Sequence, residues 1–139
     1  MNKSVWDLYA PIYEKAMRMD QKYYRYMYDR IPVLIQDKVV LEIATGPGLL
    51  AKHIAYAAKS IIATDYSEGM IKEARKGVYA KNLSFEVADA INLPYADGSF
   101  DVVIIANALH VMENPEQALS EINRVLLLMS ILNLPILPI

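Results

Sequence analysis

The chain contains no cysteine, which excludes disulfides, thiolate metal sites and a cysteine nucleophile. Only two histidines are present, and without thiolates beside them they argue against a zinc centre. Charge of one sign is missing too: 14 Lys and Arg stand against 16 Asp and Glu, for a net charge of −2 and a charged fraction of 22%. A broad basic surface for nucleic acid or for an acidic membrane is therefore not expected. The opening stretch Met1-Asn2-Lys3-Ser4-Val5-Trp6-Asp7 lacks the apolar centre of a signal peptide, which makes the cytoplasm the expected location. Repeats and low-complexity linkers are absent. Apolar residues gather near the C-terminus, yet Pro135 and Pro138 break that tail short of the roughly 20 residues that a membrane span requires, so no stable insertion is expected. What the chain does hold is 55% hydrophobic residues in a length of 139. That is enough for one sizeable core and too little for two, so a single domain over residues 1–139 is the expectation.

The most informative stretch is Val39-Val40-Leu41-Glu42-Ile43-Ala44-Thr45-Gly46-Pro47-Gly48. Its apolar first half is short and β-branched, as a parallel strand covered on both faces requires. Gly46 and Gly48 let the backbone turn sharply and approach a ligand, and Leu49 to Ala55 has the apolar spacing of a helix whose N-terminus faces that ligand. Two cofactor classes use such a strand–loop–helix unit. Gly46-Pro47-Gly48-Leu49-Leu50-Ala51 satisfies the dinucleotide pattern, and Asp65 lies about twenty residues beyond it, where a ribose-binding acid is expected; alone this favours NAD. Glu42 points the other way. A carboxylate at the strand end would repel a pyrophosphate but attract a ligand bearing an ammonium and a sulfonium, which suggests S-adenosylmethionine. Glu42 also has a plainer reading, as a loop or cap acid that meets no ligand.

These residues carry a resemblance to a known family. Val40 to Gly48 resembles the first motif of the class I S-adenosylmethionine-dependent methyltransferases, an acid followed by alternating glycines, with Ala44 where the first glycine is usual. Ile61-Ile62-Ala63-Thr64-Asp65-Tyr66-Ser67-Glu68-Gly69-Met70 resembles the second, and Phe85-Glu86-Val87-Ala88-Asp89-Ala90 the third. The likeness runs from Trp6 to Leu126 and fits the small-molecule, lipid or quinone branch. It implies S-adenosylmethionine as cofactor and a small-molecule methyl acceptor. It further implies that Glu42, Ala44, Gly46 and Gly48 surround the methionine end, that Asp65 accepts from the ribose hydroxyls, that Tyr66 and Met70 border the adenine, and that Asp89 with Ala90 reads the adenine amino group. Asp101, before the apolar run Val102-Val103-Ile104-Ile105, is assigned to structure.

The fold class expected is α/β: a Rossmann-like, doubly wound, mostly parallel sheet flanked by helices. Strands are predicted near 39–43, 60–64, 83–87 and 101–105, and helices near 48–57, 68–77 and 115–128. Asn114 and Pro115 form the cap and first turn of the last helix, with Glu116 near the positive end of its dipole and Leu119, Ile122 and Leu126 as its buried stripe. Residues 1–37 are read as a helical lid or substrate region and 38–139 as the cofactor-binding core. The N-terminal part is rich in tyrosine (Tyr9, Tyr13, Tyr23, Tyr24, Tyr26, Tyr28), with ten in the chain against two phenylalanines; such rings pack while their hydroxyls stay wet. The segment Trp6 to Tyr13 resembles the family's lid. Tyr9 either faces the sulfonium through a cation–π contact or merely packs; packing is the reading for Tyr13 and for Tyr23 to Tyr28.

Asn107 and His110 follow the fourth predicted strand, at the edge where ligands of open α/β sheets bind. His110 is the one base by position, and its plainer reading is a loop-orienting or capping residue. With Tyr9 it completes the catalytic candidates. The acceptor, and whether methylation falls on nitrogen, oxygen or carbon, is not readable. After Arg124-Val125-Leu126 the chain departs from the family: apolar residues replace the usual turn, and the last strands of the seven-stranded sheet are missing. This suggests a truncated or altered domain with impaired catalysis, and a homodimer through the C-terminal region. Three readings stay open: a methyltransferase, a non-catalytic S-adenosylmethionine-binding module, and an NAD-type protein.

Overall fold

The computed structural model describes residues 3–17, 21–106, 108–127 and 131–134. Two helices lead, α1 (Lys3–Met17) and α2 (Gln21–Leu34), followed by β1 (Val39–Ile43), α3 (Leu49–Ile54), β2 (Ser60–Asp65), α4 (Glu68–Ala74), β3 (Leu83–Val87), β4 (Val102–Ala106), α5 (Pro115–Val125) and β5 (Ile131–Leu134). The strands form one sheet in the order β3-β2-β1-β4-β5, parallel throughout. Among the described residues no helix is long and apolar enough to cross a membrane.

Strand geometry sends neighbouring residues to opposite faces, and the core divides accordingly. Val40, Val102 and Ile104 join Met27, Ile31 and Ile35 beneath α2 and Leu50, Ala51 and Ile54 of α3. Leu41, Ile43, Val103 and Ile105 instead meet Ile122 and Val125 of α5. Continuous apolar strands are what a sheet covered on both faces needs. Asp101 has the structural part expected of it: its Oδ2 accepts from the Val39 N–H at 2.9 Å, and its own N–H donates to the Val39 carbonyl at 2.8 Å. The starts of β1 and β4 are thereby tied together.

The four strands placed by the sequence reading lie within a residue of those positions, β5 (Ile131–Leu134) was not placed by it, and the helices are shorter. The helix expected over 48–57 turns 3-10 at Ala55–Ala57. The one expected over 68–77 ends at Ala74. The last helix ends at Val125 rather than 128, because Leu126 is extended and bridges Phe100. The Leu127 N–H then donates to the Phe100 carbonyl at 2.8 Å, drawing the chain out of its helix. The buried stripe is corrected as well. It is Ala118, Ile122 and Val125, while Leu119 is 38% exposed; Leu126 is buried, but as part of that extended bridge. The cap is as read, with the Asn114 side chain accepting from the Gln117 N–H at 3.3 Å.

Candidate functional site

Strands that run parallel end together, so the loops after β1, β2, β3 and β4 converge at one sheet edge. The order β3-β2-β1-β4 places a topological switch between β1 and β4, the position where open α/β sheets bind ligands. A cavity of about 310 Å³ lies there, lined by Ala44 and Gly46 after β1, Asp65 and Tyr66 after β2, Asp89 and Ala90 after β3, and Ala106 and Ala108 at β4. Met70 of α4 and Trp6 of α1 add to its wall.

Asp65 is held by two backbone donors: the Gly46 N–H to Oδ2 at 2.8 Å and the Ser67 N–H to Oδ1 at 2.9 Å. Burial raises its pKa against the pull of those donors. A carboxylate has about four acceptor positions, so lone pairs remain for hydroxyls in the cavity. Asp89 accepts from the Ile91 N–H through Oδ1 at 3.1 Å. Ala44, standing in for a glycine, has φ +60°, a left-handed conformation that is strained for a residue with a Cβ. The loop thus keeps the glycine geometry without the glycine.

Glu42 differs from the expectation of direct contact. It is 2% exposed and is not among the cavity-lining residues. Its Oε2, like the hydroxyl of Thr45, is buried without a hydrogen-bond partner among the described residues. Burial pushes its pKa up to about 8, and the Asp65 charge adds to it. A buried carboxyl oxygen without a partner is costly by itself, and here it lies one residue before Ile43 and Ala44 of the cavity lining.

Gly48 is likewise displaced from its expected part. It lies outside the lining, and at φ +81° a Cβ there would sit 2.6 Å from two ring atoms of Phe85. This glycine serves close packing of the loop on β3. Tyr9 is 49% exposed and also outside the lining; the aromatic that α1 contributes is Trp6. His110, in the turn Leu109–Val111, is exposed, whereas Val111, Met112, Glu113 and Asn114 beside it line the cavity. Asn107 and the side chains of Tyr13 and Tyr23 lie outside the described residues. Sequence reasoning missed Glu113, Ile91 and Met112 as wall residues; the Asn114-Pro115 helix start marked that this loop had to end near the sheet edge. Among the described residues no cluster of metal-ligating side chains occurs.

Residues 41–129 match the model of the family described as "Methyltransferase domain". The demethylmenaquinone methyltransferase of Paenarthrobacter aurescens (strain TC1) is 32% identical over 127 residues, 88% of this chain and 49% of that protein. The ubiquinone/menaquinone biosynthesis C-methyltransferase UbiE of Geotalea uraniireducens (strain Rf4) is 32% identical over 136 residues, 89% of this chain and 57% of that protein. The chain therefore spans about half the length of the curated relatives it matches. Among solved structures, a chain of the complex between the Haloferax volcanii Trm112 methyltransferase activator and a methyltransferase aligns with a TM-score of 0.74 at 26% identity, covering 87% of this chain and 55% of that one. A SAM-dependent methyltransferase from Thermotoga maritima aligns at 0.66 and 26%, covering 87% and 56%. With strand order, acid positions and family match in agreement, this chain belongs to the class I S-adenosylmethionine-dependent methyltransferases.

Proposed function

We propose that the cavity binds S-adenosylmethionine and that the protein transfers its methyl group to a small, apolar, ring-bearing acceptor of the quinol type. The observation that carries the cofactor part is the convergence of acceptor groups at one sheet edge: Asp65 with lone pairs to spare, Asp89 and the unpartnered Glu42 oxygen. The donor set of the cofactor, two ribose hydroxyls, an adenine amine and an ammonium, is complementary to these acids. Asp65 would hold the ribose, Asp89 with Ala90 the adenine, and Ala44 and Gly46 the methionine end. When bound, the cofactor supplies an electrophilic methyl group on its sulfonium.

The chain's own residues then contribute position and dryness. Trp6, Ile91, Val111 and Met112 form apolar wall, which excludes water and orients a flat acceptor; holding reactants in line is worth up to about 7–11 kcal/mol of barrier. The acceptor class rests on those walls and on the names of the relatives. A runner-up reading, cofactor binding without transfer, is favoured by one observation: His110 stands outside the cavity lining, which leaves it without a histidine base. We also infer self-association through β5, whose outer edge pairs with no strand among the described residues.

Thermal shift with S-adenosylmethionine, S-adenosylhomocysteine and NAD, followed by methyl transfer to a demethylmenaquinol analogue, tests the reading. Stabilisation by the first two and not by NAD, with transfer, supports it. Stabilisation without transfer to any quinol favours the binding module, and stabilisation by NAD alone rejects both.

A further inference from the structure

Helix α1 is fastened to the site through one carboxylate. Asp7 Oδ1 accepts a short hydrogen bond from the Ser67 hydroxyl and a second from the Gly69 N–H at 2.9 Å. Ser67 is the link to the cavity: its N–H donates to Asp65 Oδ1 at 2.9 Å, and its hydroxyl accepts from the N–H of Met70 at 3.1 Å. Asp65 and Met70 line the cavity, and so does Trp6, the residue before Asp7. A continuous chain of bonds thus runs from the ribose-binding candidate through Ser67 to the helix that carries an aromatic wall.

The surroundings are shaped for this contact. A Cβ on Gly69 would lie 2.9 Å from both the Cα and the carbonyl oxygen of Asp7, so only glycine lets α1 come this close. Pro11 has no N–H to offer the Asp7 carbonyl, which leaves that carbonyl outside the regular helical ladder. Ala10, one turn on, is 1% exposed. At the start of α1, Lys3 stands 4.8 Å over the ring of Tyr66 and 3.6 Å from Glu68, a second contact with the same turn. The Ser67 hydroxyl and the Gly69 N–H hold the Asp7 carboxyl below its ordinary range, so it is ionised at neutral pH.

We propose that Asp7 is a latch: a positioning residue that seats α1 and its Trp6 against the cofactor cavity and couples that seating to the Asp65 turn. The coupling rests on the reading of the cavity as a cofactor site. Because Ser67 is bonded to both carboxylates, whatever settles Asp65 also settles the hydroxyl that Asp7 holds. Binding and seating of α1 therefore favour one another, and neither needs the other to be complete.

Trp6 is the only tryptophan in the chain, so its fluorescence reports the latch directly. Wild type, Asp7→Ala, Asp7→Asn and Gly69→Ala are compared for acrylamide quenching without ligand, for the emission change on adding S-adenosylhomocysteine, and for affinity by calorimetry. Circular dichroism confirms which variants are folded. The latch predicts that Asp7→Ala exposes Trp6 to quencher even without ligand, loses the emission change at saturating ligand, and binds roughly tenfold more weakly, about the worth of one charge-assisted hydrogen bond. Asp7→Asn, which keeps an acceptor oxygen, recovers part of each. Gly69→Ala reproduces the defect with Asp7 intact, and so keeps the test valid should Asp7→Ala fail to fold. Folded variants with wild-type quenching and affinity within twofold overturn the latch. Altered quenching with affinity within twofold overturns the coupling alone. A wild-type protein that binds no S-adenosylhomocysteine overturns the site reading and the coupling with it, and the ligand-free quenching then separates that failure from a failure of the seating.

Discussion

At the scale of the residue, Asp65 is the side chain on which binding should depend most. Asp65→Ala removes charge-assisted bonds worth about 1.5–3 kcal/mol, so affinity for S-adenosylhomocysteine should fall roughly ten- to a hundredfold in calorimetry. Glu42 predicts a pH dependence. Its carboxyl ionises near 4.5 when exposed and near about 8 when folded, so between these values the native state keeps a proton that the unfolded state has lost. Stability of the ligand-free protein should therefore fall as pH rises from 4.5 towards 8 and level off above. The upward shift of Asp65 acts in the same sense. Glu42→Gln, close in shape and without a charge to lose, should flatten the slope of Tm against pH across that window; an unchanged slope would assign it elsewhere. The identity of these acids was readable because each stands in the C-terminal part of an apolar strand, but their depth was not. Glu42 looked like a ligand-facing group, and only the alternation of faces along β1 put it beneath the loop. Trp6 and Tyr9 are three positions apart on one helix. Nothing in a sequence says which of two such neighbours tips inward, since that depends on where Asp7 and Gly69 dock the helix.

At the scale of the element, the turn between β1 and α3 is fixed by packing as much as by any ligand. Gly48→Ala must accept both a left-handed φ of +81° and a contact of 2.6 Å with the Phe85 ring. A loss of about 1–3 kcal/mol in denaturant unfolding is expected. Phe85→Leu in the same chain should recover part of it, giving a favourable coupling in the double-mutant cycle. Strands were easier to place than helices because a short β-branched run has few ways to lie in a covered sheet. Helix ends depend on tertiary partners. The end of α5 is set by Phe100 taking Leu126 and by Arg124, whose guanidinium donates to the carbonyls of Tyr95 at 2.7 Å and Leu93 at 3.0 Å and pairs with Glu121 at 2.8 Å. No local pattern announces a loop that returns from about thirty residues upstream to stop a helix.

At the scale of the whole molecule, alternation and handedness predict a parallel sheet with ligands at its carboxyl edge, whereas the order β3-β2-β1-β4-β5 and its switch point come from the structure. The outer edge of β5 carries the remaining prediction. In light scattering the 139-residue chain should run as a dimer and a chain ending at Ser130 as a monomer; a monodisperse monomer of the 139-residue chain would reject self-association. The division of the core between two faces has one more consequence. Glu42 sits between Leu41 and Ile43, which belong to the α5 side, and shares its own side with Val40 and Ile104. A one-residue slip of β1 would exchange the faces and drive the carboxyl beneath Ile122 and Val125, among purely apolar neighbours. The acid beneath the candidate site therefore also penalises mispaired strands, so it acts during folding as a marker of correct register.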